Sequence, residues 1–171
     1  MILKIEDGLL ETIKSYRLPA FCEIPDVGLY LNQSATYINR ALCPLFGISI
    51  TESMISNYVK KKLIDNPVKK QYSREMIAYL MFITLAKSAA SLDDIQLLIS
   101  LQKKRCSAAE AYEGFKKEFE SILGYVFGFD DGTGIIKDAE SIEEELLKNI
   151  IITVAHKIYA DMAFSALRAA E

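Results

Sequence analysis

The chain has 171 residues, of which 51% are hydrophobic and 25% charged, and its net charge is −3. These values fit a packed globular protein and exclude intrinsic disorder and a uniformly basic nucleic-acid coater, although a local basic surface stays possible. Three cysteines without a C-x-x-C pair exclude a disulfide framework and a structural zinc site, which favours a reducing cytoplasm. The acidic start of the chain and the charges that interrupt its apolar runs predict neither a signal peptide nor a membrane partner.

Helix-start signals run along the chain and predict a mostly α-helical fold. An N-terminal helix is followed by an arm over residues 18–30, which Pro19, Pro25 and Gly28 make extended or turning. A helix over residues 34–43 comes next. Five later helices begin at a serine or threonine that can act as N-cap: Thr51, Ser73, Ser91, Ser107 and Ser141. Strand signals are few and predict only a short hairpin around Val68–Tyr72.

Residues 52–62 form an amphipathic helix at about 100° per residue. Its apolar face carries Met54, Ile55, Tyr58 and Val59. The opposite face carries Ser53, Ser56, Asn57 and Lys60, with Lys61 at its flank. Reading base edges in the major groove requires compact hydrogen-bonding groups of this kind, with cations that reach phosphates. The backbone N–H groups after Thr51 also suit a phosphate, so the pattern predicts a DNA recognition helix.

The charge of the chain is unevenly distributed. Residues 57–74 have a net charge of +5, whereas residues 106–171 have a net charge of −7. The basic stretch continues from the amphipathic helix into the predicted hairpin. We expect Ser53, Ser56, Asn57 and Lys60 to face bases. Phosphates would be held by Lys61, Lys69, Lys70 and Arg74. Thr51 and Tyr72 are further expected DNA-binding residues.

The order of motifs after the helix resembles the winged helix-turn-helix of MerR-type regulators. In that group the recognition helix ends at a leucine, a short basic wing with a tyrosine follows, and the next helix begins at serine or threonine. The corresponding motifs here are Asn57-Tyr58, Leu63-Ile64, Pro67, Tyr72 and Ser73. The chain departs from that pattern at Ser56-Asn57-Tyr58, where Arg-Tyr-Tyr is usual, at Lys62, where glycine is usual, and at Gln71, where arginine is frequent. A left-handed Lys62 would cost about 1–2 kcal/mol.

Two longer segments are similar to an uncharacterised bacterial family, the domain of unknown function DUF1836. They are LPAFCEIPDVGLYLNQSATYIN (18–39) and ITESMISNYVKKKLIDNPVKKQYSREMIAYL (50–80). The similarity extends over about residues 18–100. It implies a MerR-like DNA-binding domain with a short β wing, followed by a helical C-terminal region.

These features predict a sequence-specific DNA-binding protein that acts as a bacterial transcriptional regulator in the cytoplasm, associated with the nucleoid when bound. The recognition helix would be residues 51–62 and the wing residues 67–74. The alternative is a winged-helix adaptor for protein–protein interaction without DNA binding. The missing arginine and the acidic residues 106–171 favour this alternative, because acids near the groove repel phosphate.

The sequence predicts no enzyme, no catalytic residue and no cofactor. It lacks the G-x-G-x-x-G, Walker A, G-x-S-x-G and H-E-x-x-H motifs. His156 is the only histidine and Cys106 has no second sulfur nearby, so no metal site is expected. Whether a small-molecule effector binds is left open.

Three regions are predicted: an N-terminal helix and arm (1–33), the winged helix-turn-helix (34–105) and a helical C-terminal region (106–171). In the last region, one helix is expected to run from Ser141 to about Ala169, with an apolar stripe too broad for one neighbouring helix. This stripe predicts a homodimer through residues 141–169. The alternative is an intramolecular layer against residues 107–123.

Overall fold

Helices dominate the computed structural model, which describes residues 7–133 and 139–169. They are α1 (Asp7–Ser15), α2 (Leu31–Leu42), α3 (Glu52–Lys60), α4 (Arg74–Ala86), α5 (Leu92–Gln102), α6 (Ala108–Val126) and α7 (Ile142–Ala169), with one 3-10 turn at Phe21–Glu23. The mostly α-helical prediction is confirmed. The first six residues, on which the signal-peptide prediction depends, and residues 134–138 lie outside the described residues.

The five predicted helix starts are all found where the sequence placed them. In each case the side-chain oxygen accepts the backbone N–H three residues ahead, at 3.1 to 3.3 Å. Ser107 and Glu110 complete a capping box, because the carboxylate of Glu110 accepts the Ser107 backbone N–H. Such caps satisfy N–H groups that have no partner inside the helix.

The core is centred on α4. This helix is apolar around most of its circumference, and 9 of its 13 residues are buried. It packs against α2, α5, α6 and α7. A helix that is apolar on all sides requires neighbours on all sides, so α4 connects the N-terminal half of the chain to the C-terminal layer.

The C-terminal layer consists of α6 packed along α7. Five residues of α7 are buried: Ile151, Val154, Ala155, Ile158 and Met162. Tyr112, Phe115, Phe119, Ile122 and Leu123 are the buried residues of α6. The central part of α7 is therefore covered within one chain, as the intramolecular alternative expected. Large apolar side chains stay exposed toward its two ends: Ile142, Leu146, Phe164 and Leu167.

By length and composition alone, α7 is also apolar enough to cross a membrane, with 28 residues and a mean hydropathy of 1.4 over its most apolar stretch. Core helices of soluble proteins meet the same criterion, so this is weak evidence. The cytoplasmic location therefore stays a prediction.

The arm (residues 16–30) is held against α6 by long-range hydrogen bonds. The Leu18 backbone N–H donates to Glu120 Oε1 at 2.8 Å, and the Phe21 N–H donates to Glu113 Oε1. Both acids belong to the acidic C-terminal region, and both bind backbone donors of the arm.

The predicted β wing is wrong in its secondary structure, because the described residues contain isolated bridges and no strand. Val68 pairs with Gln71, and Leu29 of the arm pairs with Tyr72, both in antiparallel fashion. The pairing cannot lengthen, because the residue after Tyr72 begins the capping of α4 and the residue before Val68 is a proline without an N–H.

Candidate nucleic-acid interface

Helix α3 separates its apolar and polar side chains as the sequence predicted. Ile55 and Tyr58, on the apolar face of α3, are buried. The N-cap and the polar face of α3 are exposed: Thr51, Ser53, Ser56, Asn57 and Lys60. No other element covers this face within the described residues.

Some polar side chains of α3 already form hydrogen bonds within the chain, and others do not. Ser56 Oγ donates to the carbonyl of Glu52 at 3.0 Å, and Ser53 Oγ lies 3.1 Å from Thr51 Oγ1. The Asn57 amide and the Lys60 ammonium form no hydrogen bond to the part of the chain that the structure describes. These two groups are therefore the ones on the face that are most available to a ligand.

The entry to α3 is fixed by two side chains that the sequence analysis did not single out. Asn39 on α2 donates to the Ile50 carbonyl and accepts the Ile50 N–H, each at 2.8 Å. The Lys87 ammonium, at the end of α4, donates to the Ser49 carbonyl at 2.8 Å, and burial lowers the pKa of Lys87 below its usual value. No local sequence signal marks these residues, because their partners are 11 and 38 positions away.

The exit from α3 is a Schellman motif with lysine at the position that usually holds glycine. The Leu63 N–H donates to the Tyr58 carbonyl and the Lys62 N–H to the Val59 carbonyl, both at 2.9 Å. Lys62 has φ 60°, the left-handed conformation that glycine, the usual MerR residue at this position, adopts without strain.

Helix α5 supports this exit. Gln96 Nε2 lies 3.2 Å from the carbonyl oxygens of both Lys61 and Lys62 and donates to them. Lys103, at the other end of α5, pairs with Asp65 at 3.4 Å. One helix therefore binds both the end of α3 and the chain that follows it.

The turn between Val68 and Gln71 places two more lysines in the left-handed region. Lys69 has φ 51° and Lys70 has φ 65°, and the Gln71 N–H donates to the Val68 carbonyl at 2.9 Å. Two consecutive positive φ values characterise the tight hairpin turns that favour Asn-Gly. Gly28 of the arm packs against this turn with φ 78°, and a Cβ there would lie 3.0 Å from Gln71 Cβ.

The basic loop (residues 61–72) and the last turn of α3 together carry five exposed lysines: Lys60, Lys61, Lys62, Lys69 and Lys70. None of the five has an ion-pair partner among the described residues. Asp65, the acid of the basic loop, pairs with Lys103 at 3.4 Å, and both side chains are exposed. The result is a solvated positive surface beside the polar face of α3.

Two predicted contact residues have structural partners instead. Tyr72 is only 5% exposed, and burial raises the pKa of its phenol. Arg74 Nε donates to the Ile24 carbonyl of the arm at 2.7 Å, and its guanidinium lies 5.7 Å from the centre of the Phe21 ring. Tyr72 therefore belongs to the core, and Arg74 holds the arm against α4.

His156 and the three cysteines are exposed. Within residues 7–133 and 139–169, no group of three or more His, Cys, Asp or Glu side chains could hold a metal ion.

Comparison with known proteins gives one match. A family model described as a domain of unknown function (DUF1836) matches residues 19–119, which is more than half of the chain. The matched span contains residues 19–30 of the arm, α2 to α5 and most of α6, and therefore the whole of the surface described above. No curated protein and no solved structure matches the chain.

Proposed function

We propose that this chain, which belongs to the DUF1836 family, binds double-stranded DNA and acts as a transcriptional regulator. In this proposal α2 and α3 form a MerR-like helix-turn-helix, and the turn at residues 68–71 serves as the wing. Asn57 and Lys60 read bases, and the lysines of the basic loop contact phosphates. Such a regulator works in the cytoplasm, on the nucleoid.

The observation that carries the proposal is the open polar face of α3 beside five exposed lysines without ion partners. A face covered by another element or by a partner chain would favour the adaptor, and no described element of this chain covers it. Three acids have other partners, since Glu113 and Glu120 bind the arm and Asp65 pairs with Lys103. Glu52, in the first turn of α3, is exposed and has no ion-pair partner among the described residues.

The backbone conformation of the basic loop supports the same interpretation. Lys62, Lys69 and Lys70 are the non-glycine residues with positive φ in the described chain. Each costs about 1–2 kcal/mol relative to an unstrained position, and glycine or asparagine would avoid most of this cost. Observed backbone strain of this kind is a reason to suspect function. Here each strained residue is a lysine and therefore carries a positive charge.

The test is retention on genomic DNA over a series of salt concentrations, with the wild type and the double variant Lys69→Asn/Lys70→Gly. The variant keeps a turn sequence suited to positive φ and removes two charges, so the plot of log affinity against log salt concentration should flatten by about two units. The matched control, Lys14→Asn/Lys117→Asn, removes two exposed lysines from α1 and α6 and should leave the slope unchanged. Absence of salt-dependent retention by the wild type would refute DNA binding.

A second candidate function is the adaptor without DNA binding, and one observation favours it. Val27 in the arm and Val68 in the turn are 82% and 74% exposed. These apolar side chains near the wing suit a protein partner. If this function is correct, Val68→Thr will abolish partner capture, whereas Lys69→Asn/Lys70→Gly will leave it intact.

Homodimerisation through α7 accompanies the DNA-binding proposal, because two copies are needed to read two half-sites. Ile142, Leu146, Phe164 and Leu167 lie within about 60° of one another around an ideal helix. In light scattering at micromolar concentration, the wild type should have the mass of two chains. Leu146→Glu/Phe164→Glu should give one chain, and a wild-type mass of one chain at all concentrations would exclude the dimer.

A further inference from the structure

A cavity of about 400 Å³ lies between α4, α5, α6 and the first turns of α7. Its size falls within the range of roughly 300–1,000 Å³ that is usual for small-molecule sites. The cavity is distinct from the polar face of α3 and plays no part in the proposed DNA contacts.

Aromatic rings form much of the cavity wall. Tyr79 and Phe82 come from α4, and Tyr112 and Phe115 come from α6. Phe82 and Phe115 meet edge to face with their ring centres 5.2 Å apart. Flat apolar walls of this kind bind rings by stacking and edge contacts.

The polar groups of the wall are already paired with one another. Tyr79 Oη donates to Gln102 Oε1 at 2.9 Å, and Gln102 Nε2 donates to the Cys106 carbonyl at 2.9 Å. No buried side-chain nitrogen or oxygen in the described residues lacks a hydrogen-bond partner. A charged ligand group inside the cavity would therefore lose its hydration without compensation.

The polar groups at the rim also disfavour an anion. Arg105 donates to Ser141 Oγ at 2.8 Å and lies 3.6 Å from Glu143, so its charge is shared. Glu144, exposed at the same rim, adds a negative charge. We propose that this cavity binds a small, uncharged, mainly apolar molecule with one or more rings.

The experiment compares two fluorescent probes that share a ring system, using the full chain without DNA. N-phenyl-naphthylamine is uncharged, and anilinonaphthalenesulfonate carries an added sulfonate. We expect saturable binding of the uncharged probe at one site per chain and at least tenfold weaker binding of the sulfonate. Equal affinity for the two probes, or no saturable binding of the uncharged one, would overturn the proposal.

Two further measurements place the probe in the cavity. Ala111 lines the cavity, whereas Ala109 on the same helix does not. Ala111→Phe should weaken binding of the uncharged probe at least tenfold, and Ala109→Phe should leave it within twofold. In a Cys22→Ser/Cys43→Ser background, saturating probe should slow alkylation of Cys106, which lines the cavity, at least fivefold. If saturating probe does not slow the alkylation of Cys106, the probe does not bind in this cavity. This result is informative even if Ala111→Phe fails to fold.

Discussion

The basic loop and the α6–α7 layer are stabilised in opposite ways. The layer consists of two regular helices whose buried side chains are apolar, such as Phe119 and Ile158. The entry to α3 and the basic loop depend on hydrogen bonds from distant side chains, those of Asn39 and Gln96 respectively. The basic loop also contains three strained lysines. The comparison indicates that the layer supplies stability. The basic loop and α3 instead expose polar and basic side chains, and the strained lysines lower stability.

The largest expected effect is in the layer. Phe119 is fully buried, and its ring stacks on Phe115 with the ring centres 5.9 Å apart. Phe119→Ala should lower the free energy of unfolding by about 3–5 kcal/mol because it leaves a cavity in the core. Urea unfolding followed by circular dichroism measures this change. The control, Leu97→Ala on α5, removes a side chain that is 58% exposed and should cost less than about 1 kcal/mol; equal losses would contradict the assigned role of the layer.

The next effect is at the entry to α3. Asn39→Ala removes both side-chain bonds to Ile50 and leaves the backbone N–H and C=O of Ile50 without these partners. A loss of about 2 kcal/mol is expected from unpaired, partly buried groups. Asn32→Ala, an exposed site on the same helix, should change stability by less than about 0.5 kcal/mol. If the two variants unfold at the same urea concentration, the hydrogen bonds from Asn39 to Ile50 do not stabilise the fold.

Lys62→Gly should separate stability from binding. Glycine adopts the left-handed conformation without strain, so the variant should gain about 1 kcal/mol of stability. It should also lose one unit of the salt slope on DNA if Lys62 contacts a phosphate. Lys60→Gly, two residues earlier and inside the helix, should instead lose up to about 1 kcal/mol. A destabilised Lys62→Gly variant would show that the lysine side chain stabilises the loop.

The smallest effect concerns the start of α6 and depends on pH. Hydrogen bonds from the backbone and side chain of Ser107 lower the pKa of Glu110 below its usual 4.5. This carboxylate therefore stabilises the fold fully above pH 4.5, and the contribution disappears as pH falls through the lowered pKa. Urea midpoints of the wild type and Glu110→Gln should differ at neutral pH and converge in acid. If the urea midpoints of the two proteins still differ at low pH, the stabilisation by Glu110 comes from its packing and not from its charge.

The features that the sequence predicted well are local ones. Each helix start depends on a hydroxyl and an N–H three residues away, so Thr51, Ser73 and the later caps could be placed from spacing alone. The two faces of α3 were also predicted, since helical periodicity determines them. The glycine usual in the MerR pattern indicated only that a left-handed Lys62 would carry a cost in stability.

The remaining features depend on partners far along the chain. Asn39 and Gln96 carry no distinguishing local pattern, and Arg74 looked like a phosphate contact because nothing nearby in sequence indicated Ile24 as its partner. Tyr72 was placed in an exposed wing. Its backbone pairs with Leu29, which lies 43 residues earlier in the chain, and local sequence patterns do not indicate such a partner.

The bond between the arm and α6 has a consequence for how the chain can be divided. It joins residue 18 to residue 120, and the span shared with the family, 19–119, ends within one residue of both partners. The segment that the family model matches is therefore flanked at both ends by the partners of one long-range hydrogen bond. A fragment cut at residues 34–105 would lose the arm, the support of Arg74 and the pairing of Tyr72, whereas a fragment of residues 16–126 keeps all three. The longer fragment lacks α7, which packs against α4, α5 and α6, so it would keep the closure of the arm while exposing the apolar side chains that α7 covers.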